Sequence, residues 1–343
     1  MSDNPTLVTG GTGFLAAHTI LRLLADGHRV RTTVRSTRRE TEVRSWLAAA
    51  GADTRQLTFT VADLTSDAGW DDAMAGVEHV LHIASPFPAR QPQDPDDLIV
   101  PARDGTLRVL RTAARHGVTR VVLTSSFAAI GYTAKPSGLP YDESDWTDPS
   151  GDNDPYVRSK TIAELTAWEF TRTHSGAPEL TVICPVGIFG PALGPDLSSS
   201  LGIVAMLLDG KPPLLPRASF AIVDVRDVAD LHLRAMVDPR AAGQRFLASS
   251  GQPVTLPEIA ATLRARLGQR AARVPVRQAP DWLVRAAARV RPELGTLAGL
   301  LGEPKQISHA KATDILDWRP RSAADAVTAS AESILGLGTV RTR

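Results

Sequence analysis

The sequence predicts an α/β protein: a doubly wound parallel sheet of about seven strands carrying a smaller, mostly helical lobe. Three observations lead there. The chain opens with a short apolar strand, Thr6-Leu7-Val8, that runs straight into a glycine-rich turn and an apolar helix. Short β-branched runs then alternate with longer segments of helical period up to about residue 186. Beyond that, residues 187–217 become rich in Gly, Pro, Ser and Leu, with Pro191, Pro195, Pro212, Pro213 and Pro216 interrupting any long element. The expected division is a sheet domain over 1–186, rejoined by a strand and helix at about 219–250, and a second lobe from 187–218 and 251–343.

Composition excludes several classes. Of 343 residues, 43% are hydrophobic and 22% charged, the balance of a globular chain with a sizeable core. A formal net charge of +1 offers no basic surface for nucleic acid or an anionic membrane, so neither is expected as a partner. Cys184 is the only cysteine, which rules out an internal disulfide and suits a reducing compartment. It falls in an apolar run, where a buried, inert thiol is expected. The start, Met1-Ser2-Asp3-Asn4-Pro5, lacks the basic-then-apolar order of a signal peptide. No apolar run approaches the ~20 residues of a membrane helix, so a cytoplasmic protein is expected.

The opening loop is Thr9-Gly10-Gly11-Thr12-Gly13-Phe14-Leu15-Ala16, followed by Ile20, Leu21, Leu23 and Leu24 on a helix ending near Gly27. Strand, glycine-rich turn and helix in that order form a dinucleotide site. Gly10 permits the tight turn, Gly13 lets backbone approach a pyrophosphate, and the amides at the helix start, from Thr12 to Leu15, face the phosphates. Ala16 stands where helix must lie close to strand. The second strand, over 28–34, ends at Arg35. An acid there would hold the ribose hydroxyls of NAD; arginine favours a 2′-phosphate, with Arg38 and Arg39 adding to its field. NADP(H) is therefore expected over NAD(H).

The third strand, over 57–61, ends in Ala62-Asp63-Leu64, where the Asp63 carboxylate can accept from the adenine amino group. The fourth, over 80–85, contains His82 in an apolar setting, as expected of a core histidine, and ends at Ala84 and Ser85 beside the cofactor. A helix is expected over 96–116. The fifth strand, over 120–124, delivers Ser125 and Ser126 at its carboxyl end, the edge at which open α/β sheets bind ligands. Residues 180–184 and 244–248 are the sixth and seventh strands. The aspartates at 142, 145, 148, 152 and 154 lack metal-ligand spacing and are expected as loop and cap residues.

Tyr156 and Lys160, four apart at the start of a helix over 156–173, share one face. A cation beside a phenol favours the phenolate and lowers a pKa that starts near ~10. With three tyrosines and five lysines in the chain, chance alone yields such a pair about once in twenty-three. What precedes the pair gives it weight.

Together, Thr9-Gly10-x-x-Gly13-x-x-Ala16, Asp63-Leu64, Thr124-Ser125-Ser126 and Tyr156-x-x-x-Lys160 resemble the extended short-chain dehydrogenase/reductases, whose sheet domain is the Rossmann fold. Val30-Arg31-Thr32-Thr33-Val34-Arg35, Asp142-Glu143-Ser144-x-Trp146, Tyr156-x-x-Ser159-Lys160-x-x-x-Glu164 and Val225-Arg226-Asp227-Val228-Ala229 are similar to the branch of dihydroflavonol, cinnamoyl-CoA and yeast-type carbonyl reductases. The resemblance implies that Tyr156 donates a proton to a substrate carbonyl and that Lys160 lowers its pKa and binds the nicotinamide ribose. Ser126, in preference to Ser125, holds the carbonyl oxygen. It also implies that Pro185 to Ile188 lies near the nicotinamide. One position departs: plant dihydroflavonol reductases carry an asparagine five residues after the serine, and here that position is Gly131. The expected activity is NADPH-dependent reduction of a small aldehyde or ketone. The competing readings are a nucleotide-sugar epimerase or dehydratase and a non-catalytic NADP-sensing regulator.

In the second lobe, a short helix is expected over 198–209, a capped helix from Thr255-Leu256-Pro257-Glu258, a weaker helical stretch over 282–301 and a closing helix over 322–335. A strand and an aspartate-capped helix occupy 221–237, with Asp224 and Asp227 structural. Phe87, Phe127, Tyr132, Phe189, Leu193 and Leu201 are candidate pocket lining. The helices at 96–116 and 156–173 resemble a pair that forms four-helix dimers in the superfamily, so either a monomer or a homodimer is expected.

Overall fold

The computed structural model describes residues 4–86, 94–136, 138–290, 299–302 and 304–338. Among the described residues, eleven strands succeed one another as β1 (Thr6–Val8), β2 (Val30–Val34), β3 (Leu57–Val61), β4 (His79–His82), β5 (Arg120–Thr124), β6 (Glu179–Pro185), β7 (Gly187–Phe189), β8 (Ser219–Phe220), β9 (Ile222–Asp224), β10 (Arg245–Ala248) and β11 (Val254–Thr255). Seven of them pair in the order β10-β6-β5-β4-β1-β2-β3, every pair parallel. Order reverses between β1 and β4, which opens a crevice at their carboxyl ends. The seven strands read from the sequence are those of the sheet.

The helices are α1 (Phe14–Ala25), α2 (Glu40–Ala49), α3 (Trp70–Met74), α4 (Asp96–Arg115), α5 (Pro155–Thr173), α6 (Ser199–Leu208), α7 (Val225–Val237), α8 (Leu256–Leu267) and α9 (Asp281–Val290), then Ala310–Leu316 and Ala323–Gly336. Local chemistry sets their starts. Asp154 accepts from the Val157 amide at 3.0 Å with Pro155 just inside α5, Asp224 caps α7, and Thr255 with Glu258 closes a capping box on α8.

Apolar side chains gather in two clusters. The larger surrounds the sheet, where β5 is buried along its whole length. The smaller joins Phe189, Leu201, Val204, Leu256, Ile259, Leu263, Val327 and Ile334 from β7, α6, α8 and the closing helix. Phe14, at the start of α1, packs against both.

Some expectations need correction. The fourth strand stops at His82 because the Ile83 and Ala84 amides donate to Thr9 Oγ1 at 3.0 and 2.9 Å, leaving the ladder early. The second strand starts at Val30, after Gly27 takes a φ of +80° and the His28 amide closes α1 onto Leu23. Phe189 and Leu201 are 1% and 0% exposed and belong to the second core, so they line no pocket. Phe87 and residues 291–298 lie outside the described residues. Among the described helices, none is long and apolar enough to cross a membrane.

Candidate active site

The glycine loop follows β1 at the reversal of strand order. Gly10 has a φ of +76°, and a Cβ there would sit 3.0 Å from that of Ala84, so the turn demands glycine and lies against the end of β4. Threonines secure the loop from beneath. The Gly10 amide donates to Thr33 Oγ1 at 2.9 Å, the Gly11 amide to the Thr33 carbonyl at 2.9 Å, and the Gly13 amide back to Gly10 at 2.8 Å. Thr9 Oγ1, hydrogen-bonded to His82 Nδ1 at 2.9 Å, carries both amides that end β4. No side chain caps α1, whose N-cap is Gly13 and which begins at Phe14 and Leu15 beside Thr12. An uncapped helix start over an exposed glycine presents amide donors of the kind that suit an anion. Ala16 is fully buried against the sheet.

At the end of β2, Arg35 is exposed, and its charge helps to hold the Asp63 carboxyl below its ordinary pKa, behind the larger effect of the Thr65 amide and hydroxyl. Both Thr65 groups donate to Asp63 Oδ1, at 2.8 and 2.7 Å, and Oδ2 has no partner among the described residues. Leu64 packs on Gly105, where a Cβ would come within 2.9 Å of it. The expected field of three arginines is smaller in fact: Arg39 is drawn away to Asp196 and Glu42 and lies over the Trp46 ring. Arg38 is exposed. Ser85 is half-buried next to Ala84. Pro185 is buried at the end of β6, and Ile188 is half-buried on β7 opposite Val223.

At the carboxyl end of β5 the two serines part company. Ser126 Oγ caps the short turn Phe127–Ala129, accepting from the Ala128 amide at 3.1 Å, and accepts from the Tyr156 hydroxyl at 3.3 Å. Ser125 is buried and donates to Glu164 Oε2 at 2.5 Å. Tyr156 and Lys160 stand on the first turns of α5, with Lys160 8% exposed. Burial lowers the Lys160 ammonium to about 8, against the pull of Cys184 and Glu164. Burial also raises the Tyr156 phenol, opposed by the bond to Ser126. The balance at Tyr156 therefore runs opposite to the expected lowering, because loss of water outweighs the attractions around it.

One group was quoted in a motif without a role. Glu164, one turn after Lys160 and 1% exposed, accepts from Ser125, from Arg245 Nε at 2.6 Å and from Trp168 Nε1 at 3.2 Å, with Cys184 Sγ at 3.7 Å. Arg245, on β10, also donates to the Glu143 and Asp145 carbonyls at 2.8 and 3.0 Å and stacks on Trp146 at 3.6 Å. The only sequence signal for this network was an acid and an arginine inside apolar elements.

Comparison with known proteins identifies the family. The profile of the NAD dependent epimerase/dehydratase family matches residues 6–247. Tetraketide alpha-pyrone reductase 2 of Arabidopsis thaliana is 37% identical over 251 residues, covering 71% of this chain and 77% of that one. A cinnamoyl-CoA reductase of Medicago truncatula is 36% identical over 251 residues, covering 71% and 76%. The crystal structure of yeast methylglyoxal/isovaleraldehyde reductase Gre2 complexed with NADPH superposes with a TM-score of 0.81 at 26% identity, covering 98% of this chain and 99% of that one. The chain belongs to the NAD dependent epimerase/dehydratase family, in its branch of dihydroflavonol, cinnamoyl-CoA and yeast-type carbonyl reductases.

Proposed function

We propose that this protein is an NADPH-dependent reductase that delivers a hydride to the carbonyl of a small aldehyde or ketone, reversibly, with Tyr156 as proton donor. The observation that carries the reading is the Tyr156 hydroxyl 3.3 Å from Ser126 Oγ, beside buried Lys160 at the carboxyl edge of the sheet. The cradle suits NADP(H). Gly10, Thr12, Gly13, Phe14 and Leu15 would hold the pyrophosphate, Arg35 a 2′-phosphate, and Asp63 with Leu64 the adenine. Ala84, Ser85, Pro185 and Ile188 would flank the nicotinamide, and Lys160 and Tyr156 would meet its ribose. Three features support the fit: an uncapped helix start, a glycine turn no Cβ could enter, and an exposed arginine without an ion pair among the described residues. When bound, the cofactor supplies the hydride.

The side chains provide the rest. Ser126 Oγ already accepts from Tyr156 and the Ala128 amide, so its own O–H is left to donate to a carbonyl oxygen. Tyr156, raised by burial, stays protonated at neutral pH and can give its proton to the same oxygen as negative charge develops. Lys160, still largely charged at neutral pH, stabilises the phenolate left behind. Tyr156→Phe is expected to lower kcat on the order of 10²–10⁴-fold with NADPH affinity retained. Wild-type turnover in that variant, or no NADPH oxidation with a broad carbonyl panel, would sink the reading.

A further inference from the structure

We propose that Lys305 selects carbonyl substrates bearing a second, anionic oxygen group, a carboxylate or phosphate, by supplying the polar anchor that residue 131 does not provide. The proposal rests on the reductase reading above. Gly131 is buried, and a Cβ on it would lie 2.1 Å from Cζ of Phe127, so no side chain at that position can reach into the cleft while the Phe127 ring stays in place. Its carbonyl is instead met by Lys305 Nζ at 2.6 Å, a group 174 residues further along the chain. The ammonium lies 4.0 Å from the centre of the Tyr132 ring, with the rings of Tyr141 at 5.9 Å and Phe127 at 6.0 Å.

Two of these rings belong to residues near the reacting groups. Phe127 directly follows Ser126, and Tyr132, whose phenol is raised chiefly by burial, is close enough to Tyr156 for a phenolate there to add to that rise. The residue as a whole is exposed, yet its ammonium is enclosed enough for burial to lower its pKa, with no acid opposing the shift. Among the described residues it forms no ion pair. An ammonium has three donors, and one serves Gly131, so two N–H groups are left for a ligand. By contrast Lys135, which also faces Tyr141, is neutralised by Asp145 at 2.6 Å. Aromatic faces orient a cation without cancelling its charge. An anion on the substrate would make a charge-assisted bond in a partly dehydrated setting.

The plainer role, a staple holding the tail to the 131–141 loop, is already filled by backbone. The Tyr141 amide donates to the Gln306 carbonyl and the Ser308 amide to the Tyr141 carbonyl, both at 2.9 Å. The test uses straight-chain oxo acids and oxo alkyl phosphates of increasing separation between the two groups, each beside its neutral methyl ester or alcohol. With wild-type enzyme, Lys305→Met and Lys305→Arg, the preference of kcat/KM for the anion should fall about 10- to 100-fold in Lys305→Met. It should largely return in Lys305→Arg, and the neutral compounds should react alike in all three. Whether acids or phosphates carry the effect names the group. An unchanged preference, or an equal loss on charged and neutral compounds, overturns the proposal. Calorimetric binding of the anions to the NADP⁺-loaded protein separates the two readings. If nothing is reduced but anion binding still depends on Lys305, only the reductase reading fails; if binding ignores Lys305, this inference fails.

Discussion

Replacing Glu164 with glutamine should cost the fold far more than its modest change in shape suggests. The Glu164 side chain is 0% exposed and that of Arg245 8% exposed, so the pair has little solvent screening. Every group around the carboxylate donates to it: Arg245, Ser125, Trp168 and, weakly, Cys184. Glutamine keeps one acceptor oxygen but points an NH₂ at these donors, and only the Ser125 hydroxyl can turn to accept. It also strands the Arg245 charge against the Trp146 ring and two carbonyls. Removing one partner of a buried pair costs about 3–5 kcal/mol, and the retained oxygen argues for the lower end, about 3 kcal/mol. Unfolding 343 residues carries roughly 0.7 kcal/mol/K of entropy at the midpoint, so Tm should drop about 4 °C. Scanning calorimetry measures this directly. Replacing both partners at once, Glu164→Leu with Arg245→Met, should cost less than the two single changes added together, because no charge is then left alone. A Tm within a degree of wild type for Glu164→Gln, or strict additivity in the pair, would refute the reasoning.

The two serines should separate in kind: Ser126→Ala lowers kcat about 10- to 100-fold at unchanged Tm, while Ser125→Ala chiefly lowers Tm through Glu164. Paired kinetics and calorimetry decide, and loss of turnover confined to Ser125→Ala would reverse the assignment. Arg35→Asp should raise the KM for NADPH about 10- to 100-fold and leave that for NADH little changed; an unaltered cofactor preference removes Arg35 from the 2′-phosphate site. Burial lowers His82 to about 3 and His18 and His232 to about 4, so in the window between these values and about 6.5 the unfolded chain binds protons that the folded chain refuses. Stability therefore falls as pH drops through that window, by about 1.4 kcal/mol per histidine at pH ~5.5, partly offset by Asp227 and Glu143, whose pKa values burial raises. A Tm that stays flat between pH ~7.5 and ~5.5 would show that these imidazoles are not held neutral.

Much of the fold was legible because its determinants are local. Apolar runs of strand length, helical periods, and caps such as Asp154-Pro155 and Thr255-Leu256-Pro257-Glu258 act over a few residues, so their spacing survives in the linear sequence. The glycine loop is local too, and its neighbours in sequence, a strand and a helix, are what give it meaning. Less legible were events in which one part of the chain competes for another. The fourth strand ended early because Thr9, more than seventy residues before, took its amides. Arg39 left the expected phosphate field for Asp196, 157 residues further along the chain.

By itself, then, the sequence determined a parallel α/β sheet, a glycine-rich turn at a helix start and the spacing of Tyr156 with Lys160, all consequences of backbone period and turn chemistry. Only the tertiary structure decided which serine meets Tyr156, because Glu164 claims Ser125 across 39 residues. It alone joined Arg245 to Glu164 across 81 residues and brought Lys305 to Gly131 across 174. Burial, which has no sequence period of its own, then set the charges: water excluded around the site moves Tyr156 up and Lys160 down, and no local pattern of residues encodes how much water a fold excludes.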